Sequence, residues 1–124
     1  MEEVMASYLQ CLEHSDYDKL IALFTEDATV ESPLYGPQSA ATFYRELFAD
    51  TRQSQITPLG FFTNHEQGTG AANFHYAWTL ANGQRVSFDC VDVFYFTEKR
   101  KIRHMKIVYD TNRTRSSWQQ QRQA

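Results

Sequence analysis

The chain lacks the features that mark several large protein classes. Its 124 residues include only two cysteines, three prolines and five glycines. Cys11 and Cys90 form no CxxC or other metal-ligand spacing, and both fall inside predicted regular elements. They read as small buried hydrophobes in a reducing compartment, which predicts a cytoplasmic protein without a disulfide framework. The histidines, His14, His65, His75 and His104, share no ligand spacing, so no metal is expected. No glycine-rich phosphate-binding motif occurs, and no organic cofactor is expected. No apolar run approaches the ~18 residues a membrane span needs. The first residues, MEEVMASYLQ, are acidic and amphipathic, unlike a secretory leader. A formal charge of −3 offers no attraction to nucleic acid or to an anionic membrane.

Aromatic residues, at 15%, are plentiful, and the length suits one domain with a single core. The most informative stretch is GQRVSFDCVDVFYF, residues 83–96. Read as a strand, it places Val86, Phe88, Cys90, Asp92, Phe94 and Phe96 on one face. That face is apolar except at Asp92. A carboxylate held among inward-facing apolar residues must find a donor, face a cavity or keep its proton.

The rest of the chain supplies helices and further strands. Residues 2–13 carry an apolar stripe of Val4, Met5, Tyr8, Leu9, Cys11 and Leu12 at helical spacing. Tyr8 lies on that stripe, so its hydroxyl needs an interior partner. A second helix is expected from Ser15, as N-cap, to about Thr25. A short strand over 28–31 leads to the turn 32–37. A third helix is expected from Pro37 or Gln38 to Asp50, with Ala41, Tyr44, Leu47 and Phe48 facing inward. The period then changes to two. Residues 55–65 predict a strand bulged, or at an edge, near Pro58 and Gly60. Residues 71–80 predict a strand with Phe74, Tyr76, Trp78 and Leu80 on one face. Asn82-Gly83 marks a hairpin. The last strand, 102–109, sets Met105, Ile107 and Tyr109 against Ile102, His104, Lys106 and Val108. Helices followed by a strand meander give the α+β class, with a natural pocket between the layers. The tail, 111–124, is polar and aperiodic. It predicts a frayed terminus, or a segment docked on a partner subunit.

These residues resemble the nuclear-transport-factor-2-like superfamily, in its SnoaL-like and ketosteroid-isomerase-like branch. The resemblance rests on Tyr8, on SDYDKLIALFTEDATVESP, on the Gly36 turn, and on VDVFYF with KIRHMKIVYD. It spans about residues 3–110. It implies a single domain over 1–110, built as a cone-shaped curved antiparallel sheet on three N-terminal helices. It also implies a homodimer through the outer sheet face. In such isomerases a tyrosine on the first helix and a carboxylic acid on a long strand form an oxyanion hole, positions that Tyr8 and Asp92 match. That enzyme is a standard example of an acid kept neutral by an apolar site. The general base of those isomerases falls at Ser32 here, and a serine hydroxyl is no base without an activator. A further aromatic hydroxyl of their network, on the third helix, falls at about Phe48.

The expected function is binding of a small hydrophobic carbonyl or phenolic molecule. Proton transfer, as an isomerase-, cyclase- or lyase-like step, requires a base near Tyr8 and Asp92. Ser32 can shape its turn, bond a ligand oxygen or hold a water. Phe48, Phe88, Phe94, Met105 and Ile107 are the expected walls. The rival reading is a non-catalytic ligand-binding or dimeric adaptor module on the same fold.

Overall fold

A computed structural model describes residues 1–123 of the chain. Helix α1, Glu2–Glu13, buries Met5, Tyr8, Leu9 and Leu12, the stripe expected from spacing. Two glutamates in its first turn suit the positive end of the helix dipole. Helix α2, Tyr17–Ile21, is shorter than expected and begins one residue later. Ser15 takes a left-handed φ of 52° and makes the turn. Asp16 is the cap instead, accepting from the Lys19 amide at 3.3 Å. The helix stops early because the Leu23 carbonyl already accepts from the Ile102 amide. From there the chain is strand β1, Phe24–Ser32.

Residues Gly36–Ser39, expected to open the third helix, form a short strand β2 paired antiparallel to β1. Ser39 then caps helix α3, Ala40–Ala49, by accepting from the Thr42 amide. Its buried face is Ala40, Phe43, Tyr44 and Leu47, rotated from the expected stripe; Ala41 and Phe48 are only half-buried.

Strands β3 (Thr51–Asn64), β4 (Thr69–Leu80), β5 (Arg85–Phe96) and β6 (Ile102–Val108) form an antiparallel meander. The six strands make one curved, unclosed sheet in the order β2-β1-β6-β5-β4-β3. The expectation of a wholly antiparallel sheet needs one correction: β1 pairs with β6 in parallel. Between these two strands the chain makes β2, α3 and the first three strands of the meander, and β6 returns beside β1 running in the same direction. As expected, β3 is an edge strand with a bulge between Pro58 and Gly60. A second bulge, where Tyr95 and Phe96 face His104 and Ile102, turns Ile102 inward. It is fully buried, not on the outer face with His104 as alternation alone implied.

The core lies between the concave face of this sheet and the helices. Phe74, Tyr76, Trp78 and Leu80 of β4 point into it, as do Cys90, Asp92, Phe94 and Phe96 of β5. The tail departs most from expectation. Residues Thr114–Gln123 form helix α4 on the domain itself; residue 124 lies outside the described residues. Trp118 packs edge-on to Tyr35 with centroids 5.2 Å apart, and the Arg122 guanidinium sits 5.0 Å from the Trp118 ring. Arg122 also pairs with Asp50 at 3.0 Å, and Arg115 donates to the Pro33 carbonyl at 2.7 Å. These contacts come from residues distant in sequence, so no local period announces the helix. No helix among the described residues is long and apolar enough to cross a membrane.

The docking of α4 is testable. Trp118→Ala removes a half-buried ring and should cost about 1–3 kcal/mol in urea unfolding, below the value for a fully buried one. A variant as stable as the wild type would mean that α4 is not held on the domain.

Candidate functional site

Burial and alternation bring the site together. Asp92 and Cys90 are two apart on β5, so both side chains enter the concave face. Tyr8 reaches the same space from α1. A cavity there is lined by Tyr8, Ser32, Phe88, Cys90, Asp92 and Ile107, together with tyrosines from three other segments. Its free volume is about 40 Å³, enough for a few water molecules. No lysine, arginine or histidine lines it among the described residues.

Asp92 is 1% exposed, and among the described residues no cation is bonded to it. The Cys90 thiol donates to its Oδ1 at 3.3 Å. Burial pushes the Asp92 carboxyl up from the ordinary 3.8 to about 7, and the Cys90 bond pulls it back only in part. It therefore exists in both protonation states near neutral pH. Ala72 on β4 and Ile107 on β6 stand opposite it in the ladders. Neither offers a polar side-chain atom.

Tyr8 is equally buried, and its hydroxyl lies 2.6 Å from that of Tyr44 on α3. Burial, then the neighbouring Tyr44 and Asp92, raise its pKa well above the usual phenol value. Tyr8 therefore stays a neutral donor. Tyr44 can donate to Met105 Sδ at 3.5 Å or to Tyr8. In the second arrangement the Tyr8 proton is free to point at a cavity oxygen. A sulfur is a weak acceptor, so exchanging one arrangement for the other costs little.

Ser32 reaches the cavity wall, but its Oγ accepts from the Leu34 and Tyr35 amides, each at 3.3 Å. It shapes the turn at Pro33. Of the expected walls, Phe88 and Ile107 line the cavity. Phe94 and Met105 are buried in the core outside it, where Phe94 meets Tyr8 edge-on and Met105 takes the Tyr44 bond. Phe48 is half-buried beside Tyr44, at 6.0 Å between centroids. The aromatic hydroxyl of helix three is accordingly Tyr44, one turn before Phe48. Its place on the inner stripe of that helix was the available signal.

Lining residues not expected from the sequence include Tyr35, Phe43, Tyr76 and Tyr109. Tyr76 bonds Ser54 at 2.9 Å, and Tyr109 stacks on Phe88 at 4.0 Å. Tyr35 donates to Asp50 Oδ2 at 2.5 Å. Its position in a proline-flanked turn hid this role. His75 and His104 lie on the outer face, bonded to Asp89 at 2.8 Å and to Thr29 at 2.7 Å. Neither belongs to the cavity. No group of three metal-ligating side chains occurs among the described residues.

The raised carboxyl has a consequence for stability. Between pH about 4 and about 7 the folded chain holds a proton on Asp92 that the unfolded chain has lost. Stability from this group therefore falls as pH rises through that window, by up to about 4 kcal/mol for a rise of some three pH units in the carboxyl's midpoint. Asp92→Asn has no such proton. The stability difference between variant and wild type should move in favour of the variant from pH 4 to pH 8, read by urea unfolding at each pH. A difference that stays constant would place the Asp92 carboxyl near its ordinary range.

Comparison with known proteins agrees with this architecture. The epoxide hydrolase/cyclase-like enzyme SalBIII, with a role in pyran ring formation in the polyether salinomycin, superposes with a TM-score of 0.77. It is 27% identical over 88% of this chain and 89% of its own. An NTF2-like protein of unknown function from Exiguobacterium sp. 255-15 gives a TM-score of 0.74 at 19% identity, covering 86% of this chain and 98% of its own. AclR from Streptomyces galilaeus, described as a candidate hydroxylase, gives 0.76 at 14% identity over 96% and 80%. The last two likenesses bear on the fold alone. A family model for the SnoaL-like domain matches residues 5–105, most of the chain, and establishes that this protein belongs to the SnoaL-like family, built on an NTF2-like fold.

Proposed function

We propose that the chain binds a small, uncharged, hydrophobic molecule bearing a carbonyl or phenolic oxygen and moves a proton on it. The observation that carries this reading is Asp92, a buried carboxyl at about 7 in an apolar cavity, beside a neutral phenol donor. A group that titrates near the working pH is suited to taking up a proton and giving it back. Asp92 is then the general acid–base. Tyr8, backed by Tyr44, donates to the developing oxyanion. Ser32 keeps the turn in shape and has its hydroxyl proton available for a ligand oxygen. The base missing at position 32 is thus supplied from β5. The reaction class is an isomerisation, a cyclisation or a related lyase step. The likeness to a cyclase-like enzyme at 27% identity supports the class without naming the substrate.

The absence of lining cations favours neutral ligands, because a carboxylate ligand would meet Asp92 with nothing to balance it. A specific observation also favours a second reading, a non-catalytic binder or dimeric adaptor. The oxygen of Ser32, at the usual base position, is already engaged by two backbone amides. An adaptor would use the outer sheet face, where Val91 and Val108 are exposed.

Binding of 1-naphthol, followed by tryptophan fluorescence, tests the site. Tyr8→Phe and Asp92→Ala should each weaken it by about 1–3 kcal/mol, as for loss of a hydrogen bond to a charged group. Solvent deuterium exchange at the carbon next to the carbonyl of a bound cyclic ketone tests the chemistry. Exchange that disappears in Asp92→Asn supports the acid–base role. Binding without any exchange selects the non-catalytic reading.

A further inference from the structure

We propose that Cys90 is a positioning residue of this site: its thiol holds Asp92 Oδ1 and leaves Oδ2 as the oxygen presented to the ligand. This rests on the reading of Asp92 as the proton-transferring group. The geometry is specific. Alternation on β5 puts the two side chains on the same face, two residues apart, and the S–H···Oδ1 contact is 3.3 Å. Both line the same cavity. Among the described residues, no other side chain bonds to the carboxyl.

The thiol is suited to be a donor and nothing else. Burial first, then the Asp92 charge and the bond to it, raise the Cys90 pKa far above the usual thiol value; the Val108 backbone contact opposes this only in part. The sulfur therefore keeps its hydrogen when Asp92 is ionised. A thiol is also a weak donor. A guanidinium or ammonium in its place would hold Asp92 ionised and poor as a base. With no partner at all, Asp92 would hold its proton more firmly. A weak donor on one oxygen steadies the carboxyl and keeps it titrating near neutral pH. The other titratable groups that face Asp92 are the phenols of Tyr8 on α1, Tyr44 on α3, Tyr76 on β4 and Tyr109 after β6. All four are pushed upward chiefly by burial and remain neutral through the same pH range. They add no competing charge.

The test is a carbon-13 NMR titration of the Asp92 carboxyl, assigned by its loss in Asp92→Asn, in wild type, Cys90→Ala and Cys90→Ser. Alanine removes the donor, and the midpoint should rise by about 0.5–1 pH unit, the equivalent of one modest hydrogen bond. Serine supplies a stronger donor and should return the midpoint to the wild-type value or below. If Cys90→Ala does not fold, Cys90→Val takes its place with the same expected rise. Equal midpoints in wild type, the apolar variant and Cys90→Ser would overturn the proposal. So would a rise in both variants, which would reflect packing and not donation.

Binding of 1-naphthol to the same proteins separates the two ideas. Midpoints that move as expected with no naphthol binding, even to wild type, would uphold the thiol's hold on Asp92 and sink the ligand reading. Binding by wild type with unmoved midpoints would sink the role of Cys90 alone.

Discussion

A carboxyl buried without a cation is the constraint on which the site depends. Water solvates a carboxylate strongly, and the concave face of this sheet does not. Lifting Asp92 from 3.8 to about 7 corresponds to about 4 kcal/mol against the charged form. A globular domain has only ~5–15 kcal/mol of net stability. A penalty of that size is offset elsewhere, here by the aromatic and aliphatic core around it. Phe74, Phe94, Leu80 and Ile102, all buried, belong to that core. The same residues that hold the sheet against the helices therefore keep the carboxyl poised.

Distant segments close over one end of the cavity. Tyr35 lines it, and α4 lies against Tyr35 through Trp118 and Arg122. Asp50 joins these elements, accepting from Tyr35 and pairing with Arg122. At the other side Tyr76 and Trp78 satisfy their polar atoms on Ser54 and Thr51 of β3. Their rings can then face the cavity without leaving a buried donor unpaired. Among the described residues, the polar groups on the cavity wall that can meet a ligand include Tyr8, Asp92, the Ser32 hydroxyl and the Tyr109 hydroxyl.

Membership of the SnoaL-like family accounts for the scaffold and not for the chemistry. The structural relatives share the curved sheet at identities of 14–27%. Within that frame this chain places a serine at the end of β1, before Pro33, and a cysteine two residues before the strand carboxyl. On the function proposed above, Asp92 moves the proton that no base at position 32 can take, and the Cys90 thiol positions it.

Sequence alone determined whatever rests on local period and on single-residue anomalies. Helix α1 and the inner faces of β4 and β5 follow from spacing, because burial selects apolar residues at the period of the element. The bulge at Pro58 and Gly60 follows from what those residues cannot do in a ladder. Asp92 and Tyr8 were legible as polar residues on apolar faces. Tertiary structure decided the rest. The parallel partner of β1, the inward turn of Ile102 and the strand at 36–39 depend on pairing with residues far along the chain. So does α4, whose Trp118 and Arg122 gain partners only when Tyr35 and Asp50 are folded beside them. The choice of Tyr44 over Phe48 came down to the rotation of α3, which its Ser39 cap and its packing set together. The protonation behaviour of Asp92 belongs to the same class, because desolvation is a property of the assembled interior and not of any one residue.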